Sequence, residues 1–174
     1  METMTWIVTM LLIATPLLAT AALLAGLSTR KRRRAIHAAI IAALPGAAIA
    51  RHDDCIEIAT SEATYLIKVV PMNPAHELIL TNRLFWCVNA DLKNWKRSTK
   101  PNLVPRVKEF FDSIAATADK VVAIALVYPG CHRITRYLNE CDVEVVRSEK
   151  PVDGVHFLTF DRFAEFFASR EKKQ

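Results

Sequence analysis

Hydrophobic residues follow three successive patterns along this chain of 174 residues. The first pattern is a continuous apolar run over residues 6–27 that contains no charged side chain. The second, up to residue 90, consists of short apolar runs separated by polar turns, as in antiparallel strands. The third alternates helical periodicity with short apolar runs, which is typical of parallel strands joined by helices. We therefore predict one transmembrane helix followed by an α/β domain.

The apolar run is long enough to cross a membrane. Its 22 residues, at about 1.5 Å each, span a hydrocarbon core of ~30 Å with a slight tilt. Pro16 near its middle is tolerated in membrane helices, and Trp6 lies where an aromatic residue anchors at the interface. A cleaved signal peptide is the alternative, but the preceding segment carries Glu2 and no basic residue. Residues 1–29 are therefore predicted to be a retained anchor.

The net positive charge is concentrated directly after this run. The formal net charge is +5, although from residue 35 onward 18 basic residues stand against 17 acidic ones. The positive-inside rule then places the N-terminus outside the inner membrane and residues 35–174 in the cytoplasm. The same cluster is expected to contact anionic headgroups of the membrane surface. It consists of Arg30, Lys31, Arg32, Arg33 and Arg34.

Residues 35–174 are predicted to form one α/β domain around a mixed central sheet flanked by helices. The predicted strands are residues 47–51, 55–59, 64–70, 77–80, 83–89, 120–128, 143–146 and 155–158. The predicted helices are residues 35–44, 103–118, 133–141 and 160–169. Antiparallel strands therefore come first, followed by alternating strands and helices.

Composition excludes a disordered chain and a zinc-finger module. With 52% hydrophobic and 24% charged residues, the chain has enough apolar surface to fold. Its cysteines, at Cys55, Cys87, Cys131 and Cys141, match no zinc-ligand spacing. In a reducing cytoplasm they are expected to be small buried apolar residues.

Charged residues in the first three predicted strands form the candidate catalytic chemistry. Asp53 and Asp54 lie in the first turn, Glu57 on the second strand, and Lys68 alone interrupts the apolar third strand. Metal-dependent phosphodiester hydrolysis needs carboxylates to hold Mg²⁺ and a cation to stabilise phosphoryl charge. Adjacent aspartates are also ordinary turn formers, and a lysine on a strand is typical of a solvent-facing edge. Both interpretations stay open at this point.

A basic stretch surrounds a tryptophan ahead of the second long predicted helix. Such a stretch can bind single-stranded nucleic acid through phosphate contacts and base stacking. It is equally typical of a solvated loop with one anchoring tryptophan. The candidate nucleic-acid-binding residues are Lys93, Trp95, Lys96, Arg97, Lys100 and Arg106.

The order of helix, three-strand meander, helix and parallel strand resembles the restriction-endonuclease-like fold. More specifically, it resembles the nuclease-related domain called NERD, which often lies beside a bacterial membrane helix. The resemblance covers roughly residues 33–168. In that family an Asp ends the first turn and Glu-x-Lys lies on the third strand. Asp53 or Asp54 and Lys68 match, with Lys68 following Asp53 at a separation of 15 positions, whereas Leu66 occupies the Glu position.

The departures from the family pattern decide what the resemblance implies. Leu66 removes half of the protein charge that would hold Mg²⁺, and Arg106 replaces a Gln of the family. The resemblance therefore implies a NERD-like domain that is degenerate for cleavage and binds nucleic acid or a membrane-associated protein. One alternative is an active Mg²⁺-dependent nuclease in which Glu57 replaces the lost carboxylate. The other is a structural docking component of a membrane assembly.

Overall fold

The computed structural model describes residues 29–52, 55–90, 102–116, 120–138 and 142–171. The strands are β1 (Ala48–His52), β2 (Cys55–Ala59), β3 (Thr64–Pro71), β4 (Glu77–Asn82), β5 (Phe85–Asn89), β6 (Val121–Tyr128), β7 (Arg133–Tyr137), β8 (Val143–Val145) and β9 (Val155–Thr159). The helices are α1 (residues 29–43), α2 (Val104–Ala116) and α3 (Phe163–Glu171), with a 3₁₀ turn at Phe160–Arg162. The chain divides into two compact units, Met1–Ile40 and Ile41–Gln174.

Helix α1 includes the basic cluster of residues 30–34. The described part of this helix therefore begins before the predicted start at residue 35, because arginine and lysine are good helix formers. It ends ahead of Pro45 and Gly46, and Gly46 adopts the left-handed conformation with φ of 85°. The predicted anchor over residues 6–27 lies outside the described residues. Among the described residues, no helix is long and apolar enough to cross a membrane.

A five-stranded mixed sheet, sheet A, has the strand order β1-β2-β3-β6-β9. The pairs β1–β2 and β2–β3 are antiparallel, whereas β6 is parallel to both β3 and β9. The meander and the parallel strand that follows α2 are therefore adjacent, as the sequence predicts. Strand β6 is apolar along its length because it lies between two neighbours in a sheet that is covered on both faces.

A second mixed sheet, sheet B, has the strand order β5-β4-β7-β8. The prediction of one central sheet is thus correct for sheet A but misses sheet B. The prediction of a helix over residues 133–141 is wrong, because Arg133–Tyr137 forms β7 and pairs in parallel with β4. Its β-branched and aromatic residues suit a strand. Ile134 faces the core on one side of sheet B, and Thr135 is buried on the other.

The main hydrophobic core lies between the two sheets and α2. One face of sheet A and one face of sheet B both contribute to it. Its aromatic centre is Trp86, whose ring centroid lies 4.8 Å from that of Phe157 and 5.3 Å from that of Phe111. On the opposite face of sheet A, Tyr65 packs edge-on against Phe167 of α3, at 5.0 Å. Core members include Leu66, Val70, Leu78, Leu80, Phe110, Ala125 and Ile134.

Asn102 connects α2 to sheet B. Its side-chain Oδ1 accepts hydrogen bonds from the backbone N–H of Val104, at 3.0 Å, and of Trp86, at 3.2 Å. Its Nδ2 donates to the carbonyl of Leu84, at 3.1 Å. The side chain therefore satisfies an otherwise unpaired N–H at the start of α2. Pro105 lies in the first turn, as predicted, where it costs no hydrogen bond.

Candidate functional site

Lys68 lies on the central strand of sheet A and is 5% exposed. It shares a face with Leu66 and Val70, both members of the core. Its partners across the sheet are Cys55 on β2 and Ala125 on β6. The interpretation of Lys68 as a solvent-facing edge charge is therefore wrong. A lysine in such a position is rare and calls for a specific role or specific partners.

Glu57 lies on the same face of sheet A as Lys68. It pairs directly with Leu66 on β3, two residues before Lys68. Diagonal neighbours in an antiparallel pair have Cα atoms roughly 7–8 Å apart, within reach of long side chains. Asp53 and Asp54, the other predicted ligands, lie outside the described residues. Within the described ranges, no group of three or more His, Cys, Asp or Glu side chains could hold a metal ion.

The pKa of the Cys55 thiol depends on burial and on both Lys68 and Glu57. Burial raises the pKa of its thiol; Lys68 opposes this shift and Glu57 adds to it. Both charged groups therefore lie close enough to act on the same sulfur. The thiol stays protonated at neutral pH, so Cys55 is not a candidate nucleophile.

Leu66 occupies the strand position where the resemblance places a metal-binding glutamate. It is 5% exposed and packs in the core. Strand β3 therefore supplies an apolar surface there instead of the oxygen ligand that Mg²⁺ requires. Among the described residues, Glu57 on β2 is the acidic residue that pairs directly with this position.

The predicted nucleic-acid-binding residues and the membrane-surface residues are described to different extents. Lys93, Trp95, Lys96, Arg97 and Lys100 lie outside the described residues. The backbone of Arg106 lies in α2, but its side chain is outside the described part of the chain. In the cluster at residues 30–34, Arg32 is half-buried and the other four side chains are exposed on α1.

A cleft of about 590 Å³ lies elsewhere in the domain, and the sequence pattern did not predict it. Its walls come from the start of β7, the segment after β8, the end of β9 and the 3₁₀ turn. Strands β3, β6 and β9 run parallel, so the end of β9 belongs to the shared carboxyl edge of sheet A. Its charged and imidazole lining residues are His132, Arg133, Arg147, Glu149, Asp161 and Arg162.

Glu77, a buried carboxylate, holds one arginine of this cleft. Its Oε1 accepts hydrogen bonds from Nε of Arg133, at 2.7 Å, and from the hydroxyl of Thr135, at 2.9 Å. Its Oε2 accepts from Arg133 Nη2 and Asn89 Nδ2, both at 3.4 Å. Burial raises the pKa of Glu77, but these hydrogen bonds together lower it below its ordinary value. The carboxylate is therefore ionised and fixes the orientation of Arg133.

This network escaped sequence analysis for a definite reason. Glu77 and Arg133 are 56 residues apart, and they meet because β4 and β7 pair in register. A helix over residues 133–141 would have placed Arg133 on a different element. The alternation of Arg133, Ile134 and Thr135 was the available signal.

Cys131, which also lines the cleft, is not a thiolate. Burial raises the pKa of its thiol to about 11, and the negative charges of Asp161 and Glu77 contribute to the shift. The sulfur is therefore protonated at neutral pH and suits a packing role.

His156 fixes the turn at residues 148–149 that forms one wall of the cleft. Its Nδ1 lies 2.9 Å from the carbonyl of Ser148, and its Nε2 lies 3.1 Å from Nη2 of Arg170. A ring that donates to the carbonyl and accepts from the guanidinium is neutral. Burial lowers the pKa of His156, and Arg170 lowers it further, whereas the Ser148 carbonyl raises it.

We expect the free energy of unfolding to fall between pH 7 and pH 5, in part because of His156. Its folded-state pKa is lowered, so the unfolded chain takes up a proton first as the pH drops below about 6.5. This contribution is complete above that pH and is lost as the pH approaches the folded pKa. Urea unfolding at several pH values should show a smaller decline in His156→Gln than in the wild type. His132→Gln, which removes an exposed histidine, should keep the wild-type decline, and equal declines in all three proteins would disprove the assignment.

No protein-family model matches the chain, and neither a curated protein nor a solved structure does.

Proposed function

We propose that this chain is a membrane-anchored NERD-like domain that faces the cytoplasm, binds nucleic acid and has lost efficient cleavage. Two structural features support the fold assignment. Sheet A has the meander followed by a parallel strand that the restriction-endonuclease-like fold requires. Lys68 lies on its third strand, where the family places the lysine of Glu-x-Lys.

The observation that carries the loss of cleavage is Leu66 in the core beside Lys68. Two carboxylates normally hold the metal that activates water for phosphodiester hydrolysis. A buried leucine at one of these positions offers the metal no oxygen ligand there. On this proposal the lysine of the family pattern is kept, whereas an apolar side chain stands where β3 would supply a carboxylate to the metal.

Binding is assigned to the basic stretch, whose four basic residues over 93–100 flank Trp95. Phosphate contacts by lysine and arginine supply sequence-independent affinity, and an aromatic ring offers a stacking surface for a base. The anchor over residues 6–27 would hold this surface near the inner membrane.

The experiment uses full-length protein purified in detergent, with single-stranded and duplex DNA and RNA in Mg²⁺ or EDTA. We expect saturable, salt-sensitive binding and no metal-dependent cutting. Replacing the four basic residues of 93–100 by alanine should weaken binding at least tenfold. The slope of log affinity against log salt should become shallower by roughly 0.7 for each phosphate of a single strand that the variant no longer neutralises.

The matched control removes four charges elsewhere, at Lys120, Lys150, Lys172 and Lys173. It should retain wild-type affinity if binding is local to the basic stretch. Equal weakening in both fourfold variants would contradict the assignment, as would the absence of binding to every nucleic acid tested.

A second candidate function, a Mg²⁺-dependent nuclease, is favoured by one observation. Glu57 pairs directly with Leu66. Its side chain therefore lies beside the position where the family pattern has a glutamate. In the same assay, this candidate requires cutting that is lost in Glu57→Gln and in Lys68→Ala but kept in Lys150→Ala. That result would replace the binding proposal by an enzymatic one.

A further inference from the structure

We propose that the cleft between the two sheets binds a small phosphorylated ligand of mononucleotide size that also carries hydroxyl groups. Lys68 is not among the described residues that line this cleft, and the proposal does not depend on nucleic-acid binding. Its volume of about 590 Å³ falls within the roughly 300–1,000 Å³ that is usual for small-molecule sites. It also adjoins the carboxyl end of β9, on the edge where the parallel strands of sheet A end and where ligands commonly bind in α/β folds.

Three arginines from three different segments supply the anion-binding chemistry. Arg133 comes from β7, Arg147 from the segment after β8, and Arg162 from the 3₁₀ turn after β9. A guanidinium group is planar and donates two parallel hydrogen bonds to a phosphate, which an ammonium cannot do. Convergence of three such groups on one cleft selects a ligand with a compact, multiply charged anion.

Arg133 is held in a fixed orientation. Its Nε and Nη2 donate to buried Glu77, and the residue lines the cleft. Its side chain is 52% exposed, whereas that of Glu77 is 4% exposed. A donor oriented by a buried partner loses less entropy when a ligand binds.

Arg147 and Arg162 lie close to a common point. Both lower the pKa of the Glu149 carboxyl, although hydrogen bonds from its own backbone N–H and the Ser148 hydroxyl contribute more. Arg162 also approaches Glu165, at 3.8 Å, but both side chains are more than half exposed. Such an exposed ion pair is weak, so a phosphate can compete for Arg162.

The two carboxylates of the cleft define the rest of the ligand. Asp161 and Glu149 accept hydrogen bonds but repel phosphate, so they suit the hydroxyl groups of a sugar. Phe157, Ile134 and Val145 provide apolar wall that a base or the carbon face of a sugar can cover. A nucleoside monophosphate and a pentose phosphate both carry a phosphate and sugar hydroxyl groups. Inorganic phosphate carries the negative charge but has no sugar to contact the carboxylates or the apolar wall.

Calorimetric titration of the full-length protein in detergent tests the site. The probes are AMP, ribose 5-phosphate, inorganic phosphate and adenosine. We expect one-site binding of AMP or ribose 5-phosphate, at least tenfold weaker binding of inorganic phosphate, and no detectable binding of adenosine. Arg147→Ala and Arg162→Ala should each weaken the bound organic phosphate about tenfold or more, and Arg147→Lys should not restore wild-type affinity.

Lys150→Ala is the control for this site. It removes an exposed charge next to the cleft without touching its lining, and it should bind as the wild type does. Because the side chains of Arg147 and Arg162 are both exposed, thermal unfolding of their variants should match the wild type. Failure of both organic phosphates to bind would overturn the proposal, as would dissociation constants in both alanine variants within threefold of the wild type. Adenosine binding as tightly as AMP would overturn phosphate recognition.

Discussion

Replacing Arg133 by alanine should lower the free energy of unfolding by about 3 kcal/mol at pH 7. The substitution leaves the Glu77 carboxylate buried without its cationic partner, a change that typically costs ~3–5 kcal/mol. The lower end applies because the Arg133 side chain is half exposed, and because Thr135 and Asn89 still donate to the carboxylate. Urea unfolding monitored by circular dichroism measures the loss.

The loss should depend on pH with a defined sign. In the wild type the pKa of Glu77 is lowered, so its contribution is present above the unfolded value of about 4.3 and is lost as the pH falls through the folded pKa. In Arg133→Ala, the effect of burial is no longer outweighed, and the pKa should rise. The difference between variant and wild type should therefore shrink as the pH approaches 4. Adding Glu77→Gln, which removes the buried charge, should recover part of the stability.

Arg136→Ala is the matched control on the same strand. Arg136 forms an ion pair with Asp153 at 3.1 Å, and both side chains are about one-third exposed, at 31% and 32%. Partly solvated pairs of this kind contribute roughly 0–1 kcal/mol. Equal losses in Arg133→Ala and Arg136→Ala would show that burial of Glu77 adds nothing to the cost.

Trp86→Ala should cost about 3–5 kcal/mol, the largest loss expected from a change in the core. Trp86 is 2% exposed and lies edge-on to Phe111 of α2 and Phe157 of β9. It therefore joins sheet B, sheet A and α2 through one side chain. Its removal leaves a cavity that three separate elements would have to move to fill.

Leu84→Ala provides the comparison on the same hairpin. Leu84 is 74% exposed, so its truncation removes little buried surface and should change the free energy of unfolding by less than about 0.5 kcal/mol. A stability loss for Trp86→Ala no larger than that for Leu84→Ala would contradict the place of Trp86 at the centre of the core.

Trp86→Ala should also weaken binding of the phosphorylated ligand proposed above, because Trp86 packs against Phe157, which lines the cleft.

Local sequence signals predicted most of the elements. The alternation of Ile56, Glu57 and Ile58 predicted a strand over residues 55–59, and β2 has these bounds. Pro105 and the periodic apolar residues placed the start of α2 within one residue. These signals lie within single elements, where backbone restriction and hydrophobic periodicity act over a few neighbours.

The helix predicted over residues 133–141 is wrong because the local pattern at β7 fits both kinds of element. Ile134, Tyr137 and Leu138 have the spacing of a helix face, while Arg133 to Tyr137 also alternate as a strand does. Pairing with β4 stabilises the strand over the helix. Hydrogen bonds from Arg133 and Thr135 to Glu77 add to this preference. Such pairing is non-local, so no window of sequence contains it.

The sequence alone therefore determined the order of most elements and the meander with Lys68 on its third strand. Only the tertiary structure decided that Lys68 is buried beside Cys55, that Glu77 holds Arg133, and that two sheets enclose a cleft with three arginines. The physical reason is that alternation along a strand assigns side chains to opposite faces. What covers each face depends on contacts between residues far apart in the chain.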